Sequence, residues 1–136
     1  MLSLTGLKVW RRKGCLLING LAWSNTDGTA VFKGERYEED KHFAVEHSLV
    51  GVKVSQIKVV GITGMQSPQG WVLTSESGQT CDFSEPLLGN DLSGLKVPKR
   101  TIEEIVLSEE EDFIGINGVF DMFNNLVSLG FTMRKA

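Results

Sequence analysis

Short apolar runs, each closed by a glycine or polar turn, return about every 8–12 residues along this chain, and that rhythm restricts it more than any motif does. A helix needs apolar residues sustained at 3.6-residue spacing over ten or more positions. These runs are too short and too often interrupted for that. Leu7 to Trp10 is the first, broken at Arg11 to Gly14. Leu16 to Trp23 follows, apolar on both parities, which predicts a strand buried on two sides. Asn25-Thr26-Asp27-Gly28 supplies the positive φ of a hairpin and turns the chain into Thr29 to Lys33. Glu35 to Lys41 is a charged loop. His42 to Val54 holds two runs, with Val50, Val52 and Val54 alternating, and Ile57 to Met65 continues the pattern. Trp71 to Ser75 and Thr80 to Phe83 flank a further turn at Glu76-Ser77-Gly78, and Glu85 to Arg100 suits a long connection.

Two segments read both ways. Thr101 to Asp112 carries a capping box at Thr101 and Glu104 with Ile102, Ile105 and Val106 at helical spacing, yet Ile105 to Leu107 is also strand-like. Val119 to Val127 has the same double character. Phe113 to Val119 and Val127 to Met133 are strands, the second placing Val127, Leu129, Phe131 and Met133 on one face. The length of 136 residues suits one domain, spanning 1–136, with a real core. The fold class is all-β: a sandwich, barrel or prism.

Composition narrows the chemistry. A net charge of −3 gives a nucleic-acid partner no electrostatic support. Arg11, Arg12 and Lys13 form a brief cluster that reads as a solvated turn. No run reaches the roughly 18 apolar residues of a membrane helix, and no signal peptide is visible, so the default compartment is the cytoplasm. Cys15 and Cys81 are not a disulfide framework, and two buried thiols are the simpler expectation. His42 and His47, five apart in one extended run, point to opposite faces and cannot easily share a site. Glu109 to Asp112 lacks an EF-hand's alternation, and Gly61-Ile62-Thr63-Gly64 lacks the lysine of a phosphate loop. The expectation is a chain that is not an enzyme, with no catalytic residues, no metal and no cofactor. Trp10 and Trp71 lie beside turns, where partial exposure would let an indole stack on a ligand.

Ile18-Asn19-Gly20-Leu21-Ala22-Trp23-Ser24-Asn25-Thr26-Asp27-Gly28 resembles a strand and turn of jacalin-like lectin domains. Trp71 to Gly78 is similar to their second hairpin. Phe113-Ile114-Gly115-Ile116-Asn117-Gly118, followed by Leu126 to Phe131, is similar to their closing strands. The same order occurs in the jacalin-like units of natterin-type, aerolysin-related proteins. The resemblance implies a β-prism of three four-stranded Greek-key sheets. It also implies a non-catalytic carbohydrate-recognition module that binds a glycan or glycoprotein through loops at one end. In the family an aspartate before the last strand holds sugar hydroxyls; Val127 stands at that position here, and Gly6 is the lone glycine before Leu7. Asp121, Asn124 and Asn125 lie in the same loop and are the candidate sugar contacts, with Trp10 or Trp71 stacking nearby. The alternative is a prism without sugar binding that serves protein interaction or assembly, as a homo-oligomer or within a larger parent protein.

Overall fold

A computed structural model describes residues 3–15, 17–62, 68–84 and 100–135. Ten strands make up the described chain, and no helix is present among the described residues: β1 Leu4–Arg12, β2 Gly20–Asn25, β3 Ala30–Gly34, β4 His42–Ser48, β5 Val54–Ile62, β6 Pro68–Ser75, β7 Thr80–Asp82, β8 Arg100–Val106, β9 Glu111–Phe120 and β10 Leu126–Lys135. Every pairing is antiparallel.

The first sheet has the order β3-β2-β1-β4 and the second the order β7-β6-β5-β8. Each is a Greek key, three meandering strands with the fourth returning beside the first. The third sheet holds β10 and β9 alone among the described residues, two strands where four were expected. Inward side chains of all three meet in one core, with Leu7 and Val9 from the first sheet, Ile57 and Leu73 from the second, and Phe113 and Ile116 from the third.

The two Greek keys repeat one another in sequence. Leu4–Arg12 and Val54–Ile62 are displaced by 50 positions, as are Gly20 and Gly70, and Gly28 and Gly78. Their hydrogen bonds repeat too. Asn25 N–H donates to Thr29 O as Ser75 N–H does to Gln79 O, and Leu49 N–H donates to Thr5 O as Leu107 N–H does to Ser55 O. Gly28 and Gly78 carry φ of 86° and 87°, the left-handed residue that ends each hairpin turn.

Several expectations change in detail. The strand predicted from Leu16 begins at Gly20, and Leu16 lies outside the described residues. Leu21 and Trp23 are buried while Ala22 between them is only half covered, so one face, not two, meets the core. Val50 does not alternate in a strand: it sits in the turn between β4 and β5, exposed, because Gly51 takes φ of 74° there. The ambiguous segment after Arg100 is strand β8, since Gln56 to Ile62 of β5 offers it an open edge. The connection expected from Glu85 to Arg100 lies almost wholly outside the described residues.

Candidate functional site

One end of the first sheet gathers the β1–β2 connection, the β3–β4 loop and the β9–β10 turn. Alternation along β1 sends Leu7, Val9 and Arg11 inward and Lys8, Trp10 and Arg12 outward. The basic cluster is therefore not one solvated turn. Arg11 is buried, donating Nη2 to the carbonyls of Gln69 and Phe83 in the second sheet. Burial lowers its pKa to about 10. Arg12 turns outward and grips Glu35 with Nε and Nη2, the Nε–Oε2 distance being 3.0 Å.

Glu35 joins three elements. Its carboxylate also meets His42 Nε2 at 2.5 Å, and the imidazole is buried. His42 Nδ1 lies 3.0 Å from both the amide nitrogen and the carbonyl oxygen of Glu38, which fixes the ring with Nε2 toward Glu35. The Arg12 hydrogen bonds, assisted by His42, hold the Glu35 carboxyl below its usual pKa against the opposing effect of desolvation. The same bond raises Arg12. His47 points to the other face of β4, edge-on to Phe83, so the two histidines are separated as their spacing implied.

Asn19 is the second hub. Its Oδ1 accepts Arg12 N–H at 2.7 Å, and its Nδ2 donates to Asn124 O and Asn125 Oδ1 at 3.0 Å each. Arg12 Nη2 also donates to Phe123 O. Asp121 Oδ1 accepts the amides of Phe123 and Asn125, and Asn124 takes φ of 58°. The β9–β10 turn is thus pinned from within and from β1. The side chains of Asp121 and Asn125, the expected sugar contacts, take part in building the turn.

The tryptophans do not offer partly exposed rings. Trp10 is 2% exposed and Trp71 0%. Trp10 lies across Gly20, stacks on Phe32 at 5.6 Å, and donates Nε1 to Glu35 O at 2.8 Å. Trp71 faces the core between Phe83 and Phe131. Both were placed beside turns by sequence, but each is central in its sheet, where a large apolar ring buries the most area. Cys15 and Cys81 form no disulfide with each other.

Two surface features remain at this end. A groove of about 450 Å³ is lined by Arg12, Lys13, Glu35, Arg36, Glu38, Asp40 and Lys41. Beside it the tip exposes Met122 (87%) and Phe123 (66%), and Val127 is 37% exposed. Sequence reading passed over Arg12, Asn19, Glu35, Phe123 and the groove. Only the parity of β1 carried a signal, since it separates Arg11 from Arg12. Among the described residues no group of three or more His, Cys, Asp or Glu side chains is placed to hold a metal, and no helix is long and apolar enough to cross a membrane.

Neither a protein-family model nor a curated protein matches the chain. Among solved structures, the crystal structure of PirB matches with a TM-score of 0.70 over 99% of this chain, at 12% sequence identity. The chain spans 30% of the length of PirB. At that identity the likeness concerns the fold alone.

Proposed function

We propose that this chain is a non-catalytic, lectin-like recognition module, a β-prism related in plan to jacalin-like domains, that takes a glycan at the end where the β1–β2, β3–β4 and β9–β10 connections meet. Two four-stranded Greek keys and a two-stranded sheet sharing one core support the prism. The observation that carries the binding reading is the charged groove beside the exposed ring of Phe123. Sugars ask for this pair of features. Carboxylates accept from hydroxyls in strong, charge-assisted bonds, guanidinium and ammonium groups donate to them, and an aromatic face takes the C–H side of a pyranose. Glu38, Asp40, Lys41 and Arg36 supply the first, and Phe123 supplies the second. Arg12 links the two, because it lines the groove and holds the Phe123 carbonyl. The ring once assigned to Trp10 or Trp71 is thereby replaced by Phe123.

A glycan array followed by titration of the best ligand tests this. Phe123→Ala and Glu38→Gln should each weaken binding about tenfold or more, near the energy of one lost stacking or charge-assisted contact, with thermal stability unchanged. An array with no signal above background would sink the proposal.

The apolar tip favours a second reading, a protein partner docked on Met122 and Phe123. Enzymatic deglycosylation of a bound partner separates the two. Loss of binding supports the glycan, and persistence supports the protein surface.

A further inference from the structure

The repeat gives each outward row of the first sheet a counterpart in the second. In the second sheet Thr80, Thr74 and Gln56 share one row, and Asp82, Val72, Lys58 and Glu104 share the next. The same places in the first sheet hold Ala30, Ser24 and Gly6, then Phe32, Ala22, Lys8 and Glu46. The facing lysine and glutamate recur. Both threonines, the glutamine and the valine give way to smaller residues, and the aspartate gives way to an aromatic ring.

Those smaller residues floor a groove of about 340 Å³ on the outer face of the first sheet, of a size that ligands occupy. It shares no lining residue with the groove at the loop end. Phe32 walls it. Trp10 stacks on that ring, yet the residue is still 52% exposed. Lys8 and Glu46 line it too. Although they face each other in register, Lys8 Nζ sits 3.8 Å from the centre of the Tyr37 ring. Among the described residues no ion pair or hydrogen bond reaches the Glu46 carboxylate.

We propose that this groove is a second carbohydrate subsite, which takes a neutral disaccharide or longer chain laid along the row from Phe32 to Glu46. Its ligand class rests on the carbohydrate reading above, and its place on the sheet does not. The two charges select the ligand. An anion is repelled by Glu46, a cation is repelled by Lys8, and a wholly apolar ligand strips both of water with nothing in return. A hydroxyl donates to the carboxylate and accepts from the ammonium. A sugar ring also presents the C–H face that suits Phe32. The length follows from the sheet, because three strand spacings separate Phe32 from Glu46, about 14 Å, more than one pyranose ring spans.

Backbone amide NMR on the full chain tests the subsite, with maltose, cellobiose and lactose each raised to about 10 mM, tenfold above a Kd near 1 mM. At least one sugar should shift the amides of Gly6, Ala22, Ser24 and Ala30. Ala22→Val with Ser24→Thr copies the second sheet into the floor and should weaken that binding about tenfold or more. Glu46→Gln, at an exposed position, should weaken it about fivefold. The same spectra report whether each variant is folded. Shifts on the sheet face with none at the loop end uphold the subsite and count against the loop-end reading. Shifts confined to Glu38, Asp40 and Phe123 overturn the subsite and leave the loop-end reading standing. No shift with any of the three sugars, or undiminished binding in either variant, also overturns it.

Discussion

Gly20 is where the packing around the loop end can be tested most sharply. It pairs with Trp10 across β1 and β2, and the indole lies flat against its backbone. A Cβ added at Gly20 would sit 2.2 Å from Trp10 Cε2 and Nε1 and 2.5 Å from Cζ2. Ordinary carbon contacts begin near 3.5 Å, so the ring must retreat by about 1 Å or the strands must part. Retreat is opposed on two sides, by the bond from Nε1 to Glu35 O and by the stack on Phe32. Overpacking of this kind costs about 1–3 kcal/mol. In a chain of 136 residues each kcal/mol lowers Tm by about 3.5 °C, so Gly20→Ala should melt about 4–10 °C early. Gly115→Ala is the control. Its nearest neighbour would be at 3.8 Å, and alanine in a strand is favoured over glycine by about 0.5 kcal/mol, so it should be neutral or slightly stabilising. The assay is urea denaturation with thermal melts, repeated in a Trp10→Phe background, where the smaller ring should reduce the cost of Gly20→Ala. The reasoning fails if Gly20→Ala stays within about 0.5 kcal/mol of wild type, or if Trp10→Phe leaves its cost unchanged.

Two further outcomes concern the loop network. Asp121→Ala removes the acceptor for the amides of Phe123 and Asn125, so it should cost about 1 kcal/mol and speed amide exchange in the β9–β10 turn; unaltered exchange there would contradict the pinned-turn geometry. Because the folded-state pKa of Glu35 lies below the ordinary 4.5, its contribution is fully present above that pH and is lost as pH falls through the depressed value. Wild type should therefore exceed Glu35→Gln in stability at neutral pH and converge with it well below 4.5, as followed by denaturation across a pH series.

The all-β class was legible because periodicity and turn chemistry are local. Asp27-Gly28 and Ser77-Gly78 declare their turns whatever lies around them. The 50-residue displacement was also present in the sequence, as Gly20 with Gly70 and Gly28 with Gly78. It is easily overlooked because Leu21 faces Trp71 and Asn19 faces Gln69 in that register, similar in role and unlike in letter. The site was less legible. Whether Asp121 meets a ligand or caps its own turn depends on atoms from Phe123 and Asn125. Whether Trp10 is exposed depends on Phe32 and Tyr37, which reach it from β3 and the β3–β4 loop. The contacts on Trp10 are set by sheet topology, which short-range patterns do not encode. The cluster Arg11-Arg12-Lys13 shows the limit well. Three adjacent cations go to the core, to an ion pair and to the groove rim.

Among the described residues no hydrogen-bonded ladder crosses from one sheet to another. The described strands of the first sheet lie within residues 4–48, those of the second within 54–106 and those of the third within 111–135. What joins them is side-chain packing, together with single tethers such as Arg11 on Gln69 and Phe83. A chain wired this way can change by whole sheets. Copying a segment of about one sheet's length adds a layer without re-routing any existing strand, and inserting sequence between Ser48 and Val54, or between Val106 and Glu111, disturbs turn bonds such as Val52 N–H to Leu49 O and Glu111 N–H to Ser108 O rather than the body of a ladder. Modular growth and tolerance of insertions at the seams are thus written into the connectivity itself.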